Sequence, residues 1–113
     1  MTLDDLCRQL NLAHLTPELP LDGMEVREGF VSDLLSDVLA NAPRGGILVT
    51  VQLHLNVIAV AVHAELAAVI FAAGRKPEES VRGKAVEEGI RLLASDLPAF
   101  EITGRLYQLG IRG

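Results

Sequence analysis

Polar side chains that could bind a ligand occur in three segments of the sequence, each just after a predicted buried strand. An arginine in one of them could hold a carboxylate or a phosphate through two parallel hydrogen bonds. Because the carboxyl ends of parallel strands lie along one edge of a sheet, where α/β proteins usually bind ligands, we expect the segments to converge there. The candidate ligand-binding residues are Ser32, Asp33, Asp37, His54, Asn56, Gly74 and Arg75.

Each of these residues also has a purely structural interpretation. Ser32 is a good helix N-cap and Asp33 suits the first turn of a helix. Arg75 could form a surface ion pair with a glutamate that follows it, and His54 could be a half-buried polar residue. A general base needs an orienting carboxylate and a nearby nucleophile, and the sequence assigns neither to His54. We therefore predict no catalytic residue.

Metal and cofactor sites are not indicated. His63 and Glu65 could form a pair of metal ligands, but a third ligand at a suitable spacing is missing. The P-loop pattern G-x-x-x-x-G-K-[ST] does not occur, and the single cysteine, Cys7, has no partner residues of a metal site nearby. We expect no metal site and no cofactor.

The central apolar stretch, residues 47–73, must position these segments. It could be a transmembrane helix, which needs about 20 consecutive apolar residues, one long buried helix, or a strand, a helix and a second strand. Polar residues such as Gln52 and Glu65 interrupt it and would be costly in a membrane. We favour strand 47–51, a helix over 57–66 with Asn56 as N-cap, and strand 67–72, joined by a right-handed crossover.

The rest of the chain alternates between segments with the pattern of a strand and segments with the pattern of a helix. Strands are predicted at residues 12–15, 24–31 and 90–94. Helices are predicted at residues 2–10, at residues 33–41 after the Ser32 cap, from Pro77 to Gly89 with a Glu78–Arg82 pair, and after a Ser95-Asp96 cap as far as Gly110. The class is therefore α/β, a single compact domain over residues 1–113 whose mostly parallel sheet of four to five strands is flanked by helices.

Charge and cysteine content limit the function classes. The net charge is −5, so the basic surface typical of nucleic-acid binding is absent and we expect no nucleic-acid partner. A single cysteine fits a reducing compartment, and the first residues show no signal-peptide pattern. We expect a cytoplasmic protein that does not associate with membranes.

Two parts of the sequence resemble a known family. Residues 69–77, VIFAAGRKP, and residues 87–111, EEGIRLLASDLPAFEITGRLYQLGI, resemble the second half of a DRTGG domain. The segment from Phe30 to Asp37, continuing through Asn56 and Ala59, is similar to the first half. The resemblance extends from about residue 2 to residue 111, although the pentapeptide that names the family does not occur. It implies a fold similar to the N-terminal domain of HPr kinase/phosphorylase and a regulatory or assembly role.

The sequence thus predicts a stand-alone regulatory or protein-interaction module that senses a small anionic ligand and has no catalytic activity. The alternative is a small enzyme that acts on a phosphorylated metabolite, with His54 and Asp33 at the reacting group and Arg75 as anion clamp. We also expect a homodimer or a partner protein, because a small domain with this apolar content leaves apolar residues at its surface. Two contact faces are candidates: the alanines of residues 59–68, and the last helix. Gly104, within that helix, costs about 1 kcal/mol relative to alanine and predicts a close approach by another element.

Overall fold

A computed structural model describes all 113 residues. Five strands form one sheet in the order β1-β5-β4-β3-β2. Strands β2 to β5 are parallel, and only β1 runs antiparallel, beside β5. The strands are β1 Ala13–His14, β2 Gly29–Val31, β3 Ile47–Thr50, β4 Ala68–Phe71 and β5 Arg91–Ala94; the helices are α1 Leu3–Leu10, α2 Leu35–Asn41, α3 Asn56–His63, α4 Glu79–Glu88 and α5 Ala99–Gln108. The predicted class, α/β with a mostly parallel sheet, is confirmed.

The helices form two layers, one on each face of the sheet. Strands β2, β3, β4 and β5 lie side by side in the sheet in the order in which they occur along the chain. Right-handed crossovers between them therefore place α2, α3 and α4 on the same face. Leu48 and Phe71 point into the core beneath those three helices, whereas Val49 and Ile70 point into the core beneath α1 and α5. Both faces of β3 and β4 are buried, which explains why their sequences are almost wholly apolar.

The central stretch folds as strand, helix and strand, as predicted. Strands β3 and β4 are parallel and in register, with Ile47 opposite Ala68 and Thr50 opposite Phe71, and α3 connects them. The interpretations of this stretch as one long helix or as a membrane span are wrong. No helix of the protein combines the length and the apolar character that crossing a bilayer requires.

The predicted strand at 24–31 is shorter in the structure because residues 24–28 pair with the two ends of the chain instead. On one side, the Leu3 N–H donates to the Met24 carbonyl at 2.7 Å. On the other side, the Arg112 N–H donates to the Arg27 carbonyl at 3.0 Å and the Gly29 N–H to the Arg112 carbonyl at 2.8 Å. Only Gly29–Val31 therefore joins the continuous ladder with β3.

Helix ends differ most from prediction. Helix α1 is capped by Thr2, since the Asp5 N–H donates to Thr2 Oγ1 and the Thr2 hydroxyl donates to the Asp5 carboxylate at 2.8 Å. Asn56 is the first residue of α3 rather than its N-cap, and Pro77 precedes α4 instead of starting it. Ser95 does not cap α5 either, because its hydroxyl accepts a hydrogen bond from the Leu97 N–H in the preceding turn.

Two side-chain expectations on α4 and α5 were also wrong. Arg82 pairs with Glu79 and Glu18, and not with Glu78, because its guanidinium turns toward the loop after β1. No other element of the same chain approaches Gly104, since a Cβ atom placed there would meet nothing within 4 Å. Gly104 lies on the outward side of α5, exposed to solvent.

Candidate functional site

The loops that follow the parallel strands lie along the carboxyl edge of the sheet. The ends of these strands are in register, with Val31 opposite Val49, Thr50 opposite Phe71, and Phe71 opposite Ala94. The segments that carry Ser32, His54 and Arg75 follow β2, β3 and β4 in turn, so the structure places them side by side along this edge.

Asp33 joins two of these loops. Its Oδ1 atom accepts hydrogen bonds from the Thr50 hydroxyl at 2.9 Å and from the Val51 N–H at 2.8 Å. The Thr50 side chain is buried, so the carboxylate satisfies a hydroxyl that water does not reach. Asp33 precedes α2 and does not lie in its first turn. Its position is that of a brace between the ends of β2 and β3.

Ser32 and Asp37 make local hydrogen bonds. The Ser32 hydroxyl accepts from the Leu34 N–H at 3.1 Å, which orients the entry into α2. One oxygen of the Asp37 carboxylate accepts from the Asn41 side-chain amide at 2.8 Å, one helical turn further along α2. Neither hydrogen bond reaches the loop that carries His54.

A run of alternate polar residues builds the loop between β3 and α3. The Thr50 hydroxyl accepts from the Gln52 N–H at 3.1 Å, Gln52 Oε1 from the His54 N–H at 3.1 Å, and His54 Nδ1 from the Asn56 N–H at 3.0 Å. Each side chain thus satisfies the backbone donor two residues later. This arrangement leaves His54 Nε2 as the nitrogen that carries the proton in the neutral ring.

His54 also lines a surface cavity of about 350 Å³. The cavity lies between the β3–α3 loop and the β4–α4 region, and Lys76 and Glu78 contribute its charged side chains. Sequence reasoning did not select Lys76, because nothing in its local pattern separates it from an ordinary surface lysine. Its position beside His54 results from the course of the two loops.

The β4–α4 loop has a left-handed backbone at two consecutive residues, Ala73 at φ +60° and Gly74 at φ +70°. The Ala73 N–H donates to the Leu97 carbonyl at 2.8 Å and the Gly74 N–H to the Ser95 carbonyl at 2.9 Å. These bonds fix the loop to the one that follows β5, although an alanine is unfavourable in this conformation. The loop is therefore held in one course just before Arg75.

Arg75 and Lys76 are both exposed and neither forms a salt bridge. The alternative pairing of Arg75 with Glu78 or Glu79 is therefore not formed. The structure brings His54 and Lys76 together at one cavity, and Arg75 lies on the same loop as Lys76 but does not line that cavity. Ser32, Asp33 and Asp37 are engaged in hydrogen bonds within the protein. No group of three or more His, Cys, Asp or Glu residues could hold a metal ion.

Comparison with solved structures shows what the fold is similar to. No family model matches the sequence, and no curated protein matches it significantly. The fold is similar to the CBS and DRTGG domains of the regulatory region of Clostridium perfringens pyrophosphatase, solved in complex with its activator diadenosine tetraphosphate, with a TM-score of 0.69 and 14% sequence identity. The similarity covers 91% of this chain and 44% of that chain, so this protein spans less than half of its length.

Proposed function

We propose that this protein is a DRTGG-like regulatory module that senses a small anionic ligand at the carboxyl edge of its sheet and has no catalytic activity of its own. The observation that carries the proposal is the pair of adjacent cations, Arg75 and Lys76, exposed and without salt bridges. The chain has 15 acidic and 10 basic residues, so intramolecular partners for these two cations are plentiful elsewhere. Free cations at a carboxyl edge suit a phosphate or carboxylate group.

The neighbouring side chains supply further recognition. His54 Nδ1 is occupied by the Asn56 N–H, so the protonated Nε2 can donate to an anion while Lys76 contributes a charge in the same cavity. Glu78 lines that cavity as well and accepts hydrogen bonds only. The anionic group of a ligand would accept hydrogen bonds from His54 and Lys76. A hydroxyl or amino group beside it would donate a hydrogen bond to Glu78.

The same contacts support a role without catalysis. The enzyme alternative places His54 and Asp33 at the reacting group, and a general base at His54 would need an orienting carboxylate. The Asp33 Oδ1 atom accepts from Thr50 and Val51, and no carboxylate hydrogen-bonds to the His54 ring. We therefore propose ligand binding as the function. The similar fold of a nucleotide-activated regulatory region supports the regulatory part, and the exposed apolar side chains support a homodimer that would transmit the binding event.

Calorimetric titration with inorganic phosphate, pyrophosphate and ATP tests the anion site. The Arg75→Ala/Lys76→Ala double variant should bind at least about tenfold more weakly, since one charge-assisted hydrogen bond contributes about 1.5–3 kcal/mol. Its melting temperature should stay nearly unchanged, because exposed substitutions usually cost under about 0.5 kcal/mol. Arg27→Ala is the matched control, because Arg27 is also exposed and forms no salt bridge.

Two outcomes would contradict the anion site. One is a wild-type protein that binds none of the three anions. The other is an Arg27→Ala variant that loses as much affinity as the double variant, which would show that only net charge matters. Turnover of ATP by the purified protein would instead favour the enzyme alternative.

A further inference from the structure

The outward face of α5 carries aromatic side chains that the fold of a single chain does not use. Ile102 and Leu106 point into the core, and the opposite side of the helix presents Phe100, Gly104 and Tyr107. The Phe100 side chain is 90% exposed and Tyr107 is 58% exposed. Gly104 lies between them along the helix, with open space around the position of a Cβ atom.

An apolar cleft of about 290 Å³ opens beside Tyr107 on the same face of the molecule. It lies between α5 and β2, and Val31, Val49 and Ile111 form part of its lining. Val31 is half exposed, so α5 does not cover β2 as it covers β3. The face thus presents an aromatic side chain that protrudes and an apolar cleft that is empty of protein side chains.

The face carries charges of both signs, although the chain as a whole is negative. Glu101 and Arg105 lie one turn apart beside Gly104 and form no salt bridge with each other or with another residue. Arg112 lies over the Tyr107 ring, 3.8 Å from its centroid. With a net charge of −5, two copies of the chain repel one another over most of their surface. A face with charges of both signs is where that repulsion is smallest.

We infer that this face binds a second copy of the chain, with the two α5 helices antiparallel across a two-fold axis at Gly104. In such a pair, a residue four positions before Gly104 in one copy faces the residues about four positions after Gly104 in the other copy. Phe100 of each copy then reaches the cleft beside the partner's Tyr107, and Glu101 of each copy lies within reach of the partner's Arg105. Both contacts are reciprocal, as a two-fold interface requires, and the absence of a side chain at Gly104 lets the helices approach closely.

The inference deepens the homodimer of the proposed function and is independent of the anion site. Sedimentation equilibrium of the full chain over micromolar concentrations tests it. The wild-type protein should dimerise, and Phe100→Ser and Gly104→Leu should each weaken the dimer at least about tenfold, as loss of a buried aromatic anchor or of close helix packing does. Gly83→Leu is the matched control, because Gly83 also lies within a helix with nothing within 4 Å of a Cβ atom.

A cysteine substitution at the axis gives a second readout. The Gly104→Cys variant should form a disulfide-linked dimer under mild oxidation, because two-fold symmetry places residue 104 of each copy opposite the same residue, within the Cα separation of about 4.4–6.8 Å that a disulfide needs. Gly83→Cys should not. The natural thiol does not interfere, since Cys7 is buried and burial, aided by the Asp4 carboxylate, raises its pKa to about 11.

A monomer at every concentration would overturn the inference, as would a dimer that Phe100→Ser and Gly104→Leu leave intact. If Leu55→Ser, just before α3, or Val62→Ser, on α3, disrupts the dimer instead, the interface lies on the other layer of helices and the inference is wrong. If the wild-type protein is monomeric and its phosphate binding depends on Arg75 and Lys76, only the inferred dimer interface is wrong. The ligand-sensing part of the proposed function would stand in that case.

Discussion

The Asp33 carboxylate and the Thr50 hydroxyl are joined by a hydrogen bond of 2.9 Å across the carboxyl ends of β2 and β3. Thr50 also accepts from the Gln52 N–H, so the same hydroxyl starts the series of contacts that shapes the loop as far as Asn56. Asp33 therefore acts on the candidate site indirectly, by fixing the loop that carries His54.

We predict that Asp33→Ala lowers the free energy of unfolding by about 1.5–3 kcal/mol, because hydrogen bonds to a charged group are lost and the buried Thr50 hydroxyl loses its acceptor. Urea denaturation measures this. Asp37→Ala is the control: it loses one exposed side-chain pair within α2, which contributes about 0.2–0.5 kcal/mol. Equal losses in the two variants would show that Asp33 is not a brace.

Arg82 connects α4 to the loop after β1. Its contacts predict that the stability of the protein falls at acid pH. Its guanidinium donates to Glu79, to Glu18 at 2.9 Å, and to the Leu15 carbonyl at 3.2 Å. These hydrogen bonds are the first cause that lowers the pKa of both glutamates below the ordinary value of 4.5. A carboxyl whose pKa is lower in the folded state contributes stability above its unfolded pKa and loses it as the pH falls through the folded value.

The expected result is a steeper loss of stability below about pH 4.5 in the wild-type protein than in Arg82→Met. Urea midpoints measured between about pH 3 and pH 7 give the two curves. Lys84→Met removes a cation that pairs only with Glu87 and Glu88 in the same helix, and controls for the loss of one positive charge. Parallel curves for the wild type and Arg82→Met would show that the hydrogen bonds of Arg82 do not cause the loss of stability at acid pH.

The environment of His14 predicts a second pH dependence of stability, nearer to neutral pH. Its Nε2 atom is buried without a hydrogen-bond partner. Burial, and next the charge of Arg91, lower the pKa of His14 below its ordinary value of 6.5, although Glu18 opposes the shift. Between the folded pKa and 6.5 the unfolded chain binds the proton and the folded chain does not, so this contribution to stability is lost as the pH falls through that window.

His14→Leu should remove this dependence, because leucine has no proton to bind. The ratio of unfolding midpoints at about pH 5.5 and pH 7.5 should move toward one in the variant. His63→Leu, at the exposed end of α3, should keep the wild-type ratio. If both leucine variants behave alike, the effect does not come from His14.

Gly46 predicts a steric effect. A Cβ atom there would lie 2.8 Å from both the Cγ atom and the carbonyl oxygen of Pro43, and 3.2 Å from the Glu28 carbonyl oxygen. Gly46→Ala should therefore destabilise the protein by about 1–3 kcal/mol, as overpacking does. Gly83→Ala, with open space around it, should instead stabilise α4 by up to about 1 kcal/mol. Thermal unfolding distinguishes the two, and stabilisation in both would contradict the close contact at Gly46.

The strands could be predicted because burial on both faces requires apolar side chains at every position. Ile47–Thr50 and Ala68–Phe71 are buried throughout and are apolar but for Thr50. The helix starts could not be predicted, because several polar residues in succession can accept the same backbone hydrogen bonds. Asn56 satisfied the rule for an N-cap, yet His54 lies two residues earlier and accepts from the Asn56 N–H.

The candidate site was predictable to the level of its sheet edge and no further. Alternation of strands and helices places the loops of Asp33, His54 and Arg75 on one edge whatever their detailed course. Which side chains remain free depends on contacts between residues distant in sequence, such as Asp33 with Thr50, and on the left-handed backbone at Ala73. Lys76 joins His54 only through that backbone course, and a single sequence holds no local signal for it.

The pairing of residues 24–28 with both ends of the chain determines where an attached domain would emerge. Residues 1–3 and Arg112 lie on opposite sides of this short segment, roughly two strand spacings or about 10 Å apart. The segment leads into β2 and so lies at the amino edge of the sheet. A fusion at either terminus, or a short linker that closes the chain for circular permutation, would leave the loops of His54, Arg75 and Lys76 open to a ligand.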